Sequence, residues 1–195
     1  MTPALPDDLP RTAPVTAAFE VLVRFSPAAL VHHAVRSTLL AVDLGRQLAL
    51  PVDDEVLAVA GLLHDAGLTA GFDAHAEPFE VAGGNVAWAV TAGAGWSTQR
   101  RDRAARAVVD HMLDDADVPP GERPEGYLLA RSTGADVSGR GLEHWPTAFR
   151  ADLEARWPRL DFRDTFSACL RDQAARKPAS VVAAYVAAGG ADRVR

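Results

Sequence analysis

Cysteine occurs once in the 195 residues, as Cys169, so no disulfide can form within the chain. That usage fits a reducing compartment and sets a cytoplasmic expectation. Aromatic residues make up only 7% of the chain, and no stretch alternates apolar and polar residues over a useful length, so strands are not expected. No apolar run approaches the roughly 20 residues that a membrane span needs, which leaves no membrane partner in view. A net charge of −6 argues against a nucleic-acid backbone as partner. The start, MTPALPDDLPRTAP, is without the basic start and apolar stretch of a signal peptide. It is proline-rich and acidic, and a flexible arm is expected over 1–14. No internal repeat or linker divides the rest of the chain, so 15–195 reads as one domain.

What the chain does have is alanine and apolar periodicity. Hydrophobic residues reach 48%, and abundant alanine with few aromatics favours close-packed helices, hence an all-α fold. The pattern predicts helices over 15–25 and from 27 to about 48, the second opened by Ser26 as cap and Pro27 at the first helical position. Leu50-Pro51 breaks that helix. Asp53, Asp54 and Glu55 then place negative charge at the start of the next, which ends near Asp65 with Gly67 beyond. Further helices are expected over 78–90, from Thr98 as cap to about 113, over 125–132, 148–156, 162–176 and 180–188. Loops are expected at 69–75, 91–96 and 114–124.

The stretch AGLLHDAGL at 60–68 delivers a histidine and an aspartate together at the end of an apolar helix. Metal binding needs several such groups to converge from different elements. The candidates are His33 on the second helix, His64 and Asp65, His111 on a later helix, and Asp136 after another. A helical bundle can bring these into its core. Neighbouring residues on a helix differ by about 100° in direction, so His64 and Asp65 share an ion only at their common edge.

The ordered set His33, His64-Asp65, Asp136 resembles the H…HD…D signature of the HD-domain metal-dependent hydrolases. Its contexts HHAVRSTLLA and AGLLHDAGL are similar as well, over roughly 28–140. The resemblance implies an all-helical bundle around a central metal. FEVAGGN at 79–85, Val109-Asp110-His111 and GADVSG at 134–139 look like the cyanamide hydratase-like branch. That narrower likeness implies one zinc and the addition of water to a small nitrile. The dinuclear members, including the oxygenase branch, have a further histidine where this chain offers Glu80, with His75 slightly earlier, so one ion is expected.

Two imidazoles and two carboxylates, from His33, His64, Asp65 and Asp136, suit a divalent ion: zinc first, with iron or manganese as alternatives. An open coordination position would hold water and lower its pKa toward neutrality. Asp65 beside that water, His111 with an ordinary histidine pKa of roughly 6.5, and Glu80 are the candidate catalytic groups. Arg36, three residues after His33, lies on the same helix face and is a candidate for an anionic substrate group or a site carboxylate. Trp88 and Trp96 are candidate pocket walls. His32, His75 and His144 read as structural or surface residues, and Cys169, Trp145 and Trp157 as core. Arg100, Arg101, Arg103 and Arg106 read as a solvated helix face.

The leading expectation is a metal-dependent hydratase or hydrolase acting on a small molecule, with a nitrile or cyanamide-like compound as substrate. The alternatives are a phosphohydrolase acting on a nucleotide or other phosphate ester, a metal-binding module without turnover, and a dinuclear oxygenase. The substrate, the ion and the oligomeric state are left open by the sequence.

Overall fold

A computed structural model describes residues 3–195 of the chain. Among the described residues there are nine α-helices and no strand, as the composition and periodicity lead one to expect. They are α1 (Ala13–Phe25), α2 (Ala28–Gln47), α3 (Asp54–Leu63), α4 (Phe79–Gly93), α5 (Thr98–Asp110), α6 (Pro124–Ser138), α7 (Thr147–Arg156), α8 (Phe162–Arg176) and α9 (Val181–Ala187). Met1 and Thr2 of the expected arm lie outside the described residues. Residues 3–12 are not helical, and Leu9 among them is buried in the main core. No helix among the described residues is long and apolar enough to cross a membrane.

The fold is organised around α3. Every residue of α3 from Val56 to Leu63 is buried, and α1, α2, α4, α5 and α6 all pack on it. A short helix with no polar face can exist only where neighbours cover it on all sides. Its start is fixed by Asp53, whose side chain accepts from the backbone N–H groups of Glu55 and Val56 at 3.2 Å. Arg100 of α5 then clamps the same carboxylate from Nε at 2.8 Å. The arginine run on α5 is therefore more than a solvated face: Arg100 binds Asp53 and Glu55, Arg103 binds Glu125, and Arg106 binds Asp110.

A second core forms where α8, α9 and the chain end fold over α2 and α4. Phe162, Phe166, Leu170, Val182 and Val194 meet Leu30 and Phe79 there. Two caps differ from expectation: Pro27, not Ser26, precedes α2, and Ser97, not Thr98, caps α5. The larger difference is α6. It was expected over 125–132 but runs through Gly134 to Ser138 and stops at Gly139, which takes the left-handed conformation at φ 84°. Gly134 weakens a helix by only about 1 kcal/mol, and packing of α6 against α2 overrides it. Asp136 therefore sits inside a helix rather than in the loop after one.

Two glycines of AGLLHDAGL mark close approaches. A Cβ on Gly61 would lie 2.4 Å from Oγ1 of Thr38 on α2, and one on Gly67 would lie 2.1 Å from the carbonyl oxygen of Phe79. The first sets how near α3 comes to α2, and so how near His64 comes to His33. Substituting Gly61→Ala should push these helices apart and destabilise the protein by about 1–3 kcal/mol. Thermal melting of that variant, with and without added zinc, checks this; an unchanged midpoint would refute the close-contact account.

Candidate metal centre

His33, His64 and Asp65 offer ligand atoms within 4.8 Å of one another, and all three side chains are buried. His33 comes from the middle of α2. His64 is the residue that ends α3, and Asp65 comes next as the chain tightens into a short 3-10 turn at Ala66–Leu68. His111 ends α5 in the same way and brings its ring 4.8 Å from that of His64.

The tautomers of the three imidazoles are set by their partners. His64 Nδ1 lies 2.7 Å from the carbonyl of Gly61, and His111 Nδ1 meets the carbonyl of Val108. A carbonyl can only accept, so each Nδ1 carries hydrogen and donates it. His33 Nδ1 lies 2.7 Å from Oδ2 of Asp136, an ionised carboxylate, and donates likewise. In a neutral imidazole the other nitrogen, Nε2, is then a bare acceptor.

These bare nitrogens face one another. Nε2 of His64 is 3.2 Å from Nε2 of His33 and 3.2 Å from Oδ2 of Asp65. His33 Nε2 is 3.4 Å from that same oxygen, and His111 Nε2 is 3.9 Å from Asp65 Oδ1. Neither oxygen of Asp65 has a hydrogen-bond donor, although the residue is buried. Four buried acceptors without a donor between them are unfavourable. Either a proton or a cation resolves the conflict, and the N2O set of His33, His64 and Asp65, with His111 beside it, suits a divalent transition ion.

The titration behaviour has its origin in the same geometry. Burial would lower His64, but the adjacent Asp65 carboxylate outweighs it and raises the imidazole above its ordinary value. Burial opposes ionisation of Asp65, yet His64 and His33 together hold it at about 2. Burial lowers His33. Burial and the neighbouring His64 push His111 down to about 3. His111 thus differs from the expected proton carrier with an ordinary pKa: it is a neutral imidazole whose free nitrogen points at the cluster.

Asp136, expected as a ligand, is placed behind His33 instead. Its oxygens accept from Arg36 Nε and Nη2, each at 2.8 Å, and from Nη2 of Arg159 at 3.1 Å, besides His33 Nδ1. Burial opposes its ionisation, but Arg36 and His33 hold the carboxyl well below the usual range. Arg36 is fully buried, also donates to the carbonyl of Trp157 at 2.9 Å, and packs over Phe162. Of the two roles expected for Arg36, the structure gives it the pairing with a site carboxylate.

A cavity of about 590 Å³ opens onto the cluster. His33, His64, Asp65 and His111 form its floor, and Phe166, Leu170, Val137 and Tyr185 give it apolar walls. Trp88 and Trp96 take no part: Trp88 donates to Asp102 and carries Arg101 on its face, while Trp96 is buried beneath Arg100. Glu80 is also absent from the cavity lining. It is buried in the first turn of α4, its Oε2 has no hydrogen-bond partner, and burial raises its pKa against the pull of Lys177. Sequence reasoning missed Phe166, which with Phe162 packs against the ring of His33. The spacing of these two phenylalanines by one helical turn was the available signal.

Removing Arg36 takes two charge-assisted donors from a buried carboxylate and leaves it Arg159 as its guanidinium partner, so Arg36→Leu should cost about 3 kcal/mol. The double variant Arg36→Leu/Asp136→Leu should recover most of that stability, and equilibrium denaturation of both checks it. A second expectation concerns acid. Asp65 and Asp136 titrate lower in the folded chain than in the unfolded chain. Their contribution is therefore fully present above the unfolded value near 3.8 and is lost as pH falls toward 2. Melting of metal-free protein between about pH 5 and pH 2 should show this loss, and a flat profile would contradict it.

Residues 30–126 match the family model described as HD domain. No curated protein matches the chain. The matched stretch takes in His33, His64, Asp65 and His111, and it ends before Asp136. The histidine of α2 and the His-Asp doublet after α3 thus converge in the fold where the matching model leads one to expect them, and residues 30–126 of this chain are an HD domain.

Proposed function

We propose that this protein is a metal-dependent phosphohydrolase acting on a small phosphate ester. The observation that carries the reading is the convergence of four donorless acceptors at the floor of an apolar-walled cavity. An HD domain with a buried His/Asp cluster suggests this class of chemistry. His33, His64, Asp65 and His111 would hold the ion. When bound, a divalent ion there supplies Lewis-acid polarisation of the phosphoryl group and a lowered pKa for water.

The remaining chemistry belongs to the side chains. Asp65 and His111 both remain deprotonated at neutral pH, so they serve as acceptors that orient water and ion. A water oxygen forms the new bond to phosphorus and passes its proton by way of the Asp65 carboxylate to solvent, the ester bond to the alcohol breaks, and the alcohol oxygen takes a proton from solvent through the cavity mouth. Phe166, Leu170 and Val137 suit the organic part of the ester and keep bulk water off the floor. Asp136 keeps His33 Nδ1 protonated and its Nε2 free.

Hydration of a small nitrile would use the same activated water. A cavity of about 590 Å³ is much larger than a nitrile of a few atoms fills, and it favours the ester. Purified protein should contain about one divalent ion per chain. It should release inorganic phosphate from a panel of small phosphate esters, lose that activity with a chelator and regain it with zinc, manganese or iron. His64→Ala should lower metal content and turnover by more than about 100-fold. Turnover of nitriles with none of phosphate esters would overturn the reading.

A further inference from the structure

The cavity above the ion site changes character with depth. Its floor is His33, His64, Asp65 and His111. Above the floor comes a belt formed by Met112 just past α5, Ala130, Thr133 and Val137 of α6, and Phe166 and Leu170 of α8. All of these but Met112 are buried, and Met112 packs against the second core. The charged lining residues Asp114, Arg140 and Arg193 are exposed, which places them at the rim. Tyr185 stands there too, its ring centroid 5.8 Å from Cζ of Arg193.

Helix geometry makes the belt. Ala130, Thr133 and Val137 recur three and four residues apart and so share one face of α6, as Phe166 and Leu170 share one face of α8. The belt's one hydroxyl is that of Thr133. Its Oγ1 donates to the carbonyl of Leu129 at 2.8 Å, so its hydrogen is spent inside α6. Ser138, half-buried and one turn further along, likewise donates to the carbonyl of Gly134 at 2.8 Å. None of the belt residues has a side-chain N–H or O–H left to give. A polyhydroxylated group held there would shed its water and meet a single hydroxyl oxygen, which is costly. A hydrocarbon of the same size gains from the same burial.

We propose that the organic part of the substrate is a hydrocarbon, aromatic or branched aliphatic, and not a sugar or a nucleoside. This deepens the phosphohydrolase reading and rests on it for the phosphoryl end of the ligand. The floor engages the group to be cleaved, and the belt selects what is attached to it by refusing hydroxyl groups. A cavity of about 590 Å³ gives such a group room to be buried. Ala130, Thr133, Val137, Phe166 and Leu170 all lie beyond residue 126, so the selection is made by chain outside the HD stretch.

Two readouts test this. In calorimetric titration of zinc-loaded protein, phenylpropylphosphonate, which cannot be hydrolysed, should bind at least about 30-fold tighter than methylphosphonate. In a phosphate-release assay, phenylpropyl phosphate should exceed ribose 5-phosphate and adenosine monophosphate by about 100-fold in kcat/KM. All three are monoesters of primary alcohols, so the leaving groups are matched. Val137→Thr and Met112→Gln change shape little and add a hydrogen-bonding group to the belt, and each should lower that ratio by about tenfold. Circular dichroism confirms the fold of both variants. If esters are hydrolysed but the two phosphonates bind equally, or a hydroxylated ester is the better substrate, the hydrocarbon preference falls and the phosphohydrolase reading stands. If phenylpropylphosphonate is preferred but no ester releases phosphate, the phosphohydrolase reading falls and the preference of the belt stands. Equal binding without release overturns both.

Discussion

The arrangement depends on one constraint: every Nδ1 in the cluster is already committed to a protein acceptor. Once those hydrogens are spent, the Nε2 atom of each neutral ring has nothing to donate and can only accept, until a proton or a cation arrives. Two of the commitments are made locally. His64 and His111 each end a helix and each donate to the carbonyl three residues back, Gly61 and Val108. The last carbonyls of a helix lack partners within the helix. A histidine at that position therefore satisfies one and points its free nitrogen outward. The same device is used twice, at the ends of α3 and α5, which pack against each other.

His33 cannot use that device. It lies in the middle of α2, where the carbonyl one turn back is already engaged by the helix. Its hydrogen must go to a side chain from elsewhere, and Asp136 of α6 supplies the acceptor. A lone buried carboxylate is costly, so Asp136 in turn requires Arg36. Arg36 then requires partners for its remaining donor, found at the carbonyl of Trp157. The chain of requirements links α2, α6 and the segment before α8. A fully buried arginine is thus explained by one imidazole nitrogen, and its contribution is one of geometry more than net stability.

Much of this was legible in the sequence. The helices were marked by apolar spacing, and α8 was expected over the residues it occupies. His33, His64, Asp65 and His111 stood out as residue types with no local purpose in apolar helices, and they do converge. What was not legible was which partner each would choose across about 100 residues of separation. Asp136 was expected to join the ion because its residue type suits one. In the fold two guanidinium groups and an imidazole occupy its oxygens first. Gly134 hid the continuation of α6, because a glycine's local preference is visible while the packing that overrides it is not. Trp88 and Trp96 illustrate the same gap: both are aromatic and near the motif in sequence, yet arginines of α5 cover them on another face.

The division between floor and wall has a physical rationale. The floor is built from helices packed around α3, with close approaches at Gly61 and Gly67 that tolerate little change. Substitution there moves the donor atoms themselves. The wall is built from the chain end, which packs on α8 within the second core. Changes at Arg193 or Tyr185 can alter what the cavity admits without moving His33, His64 or Asp65. A fold arranged in this way can hold its ion-binding geometry fixed while its selectivity varies, because the two are carried by different packing units.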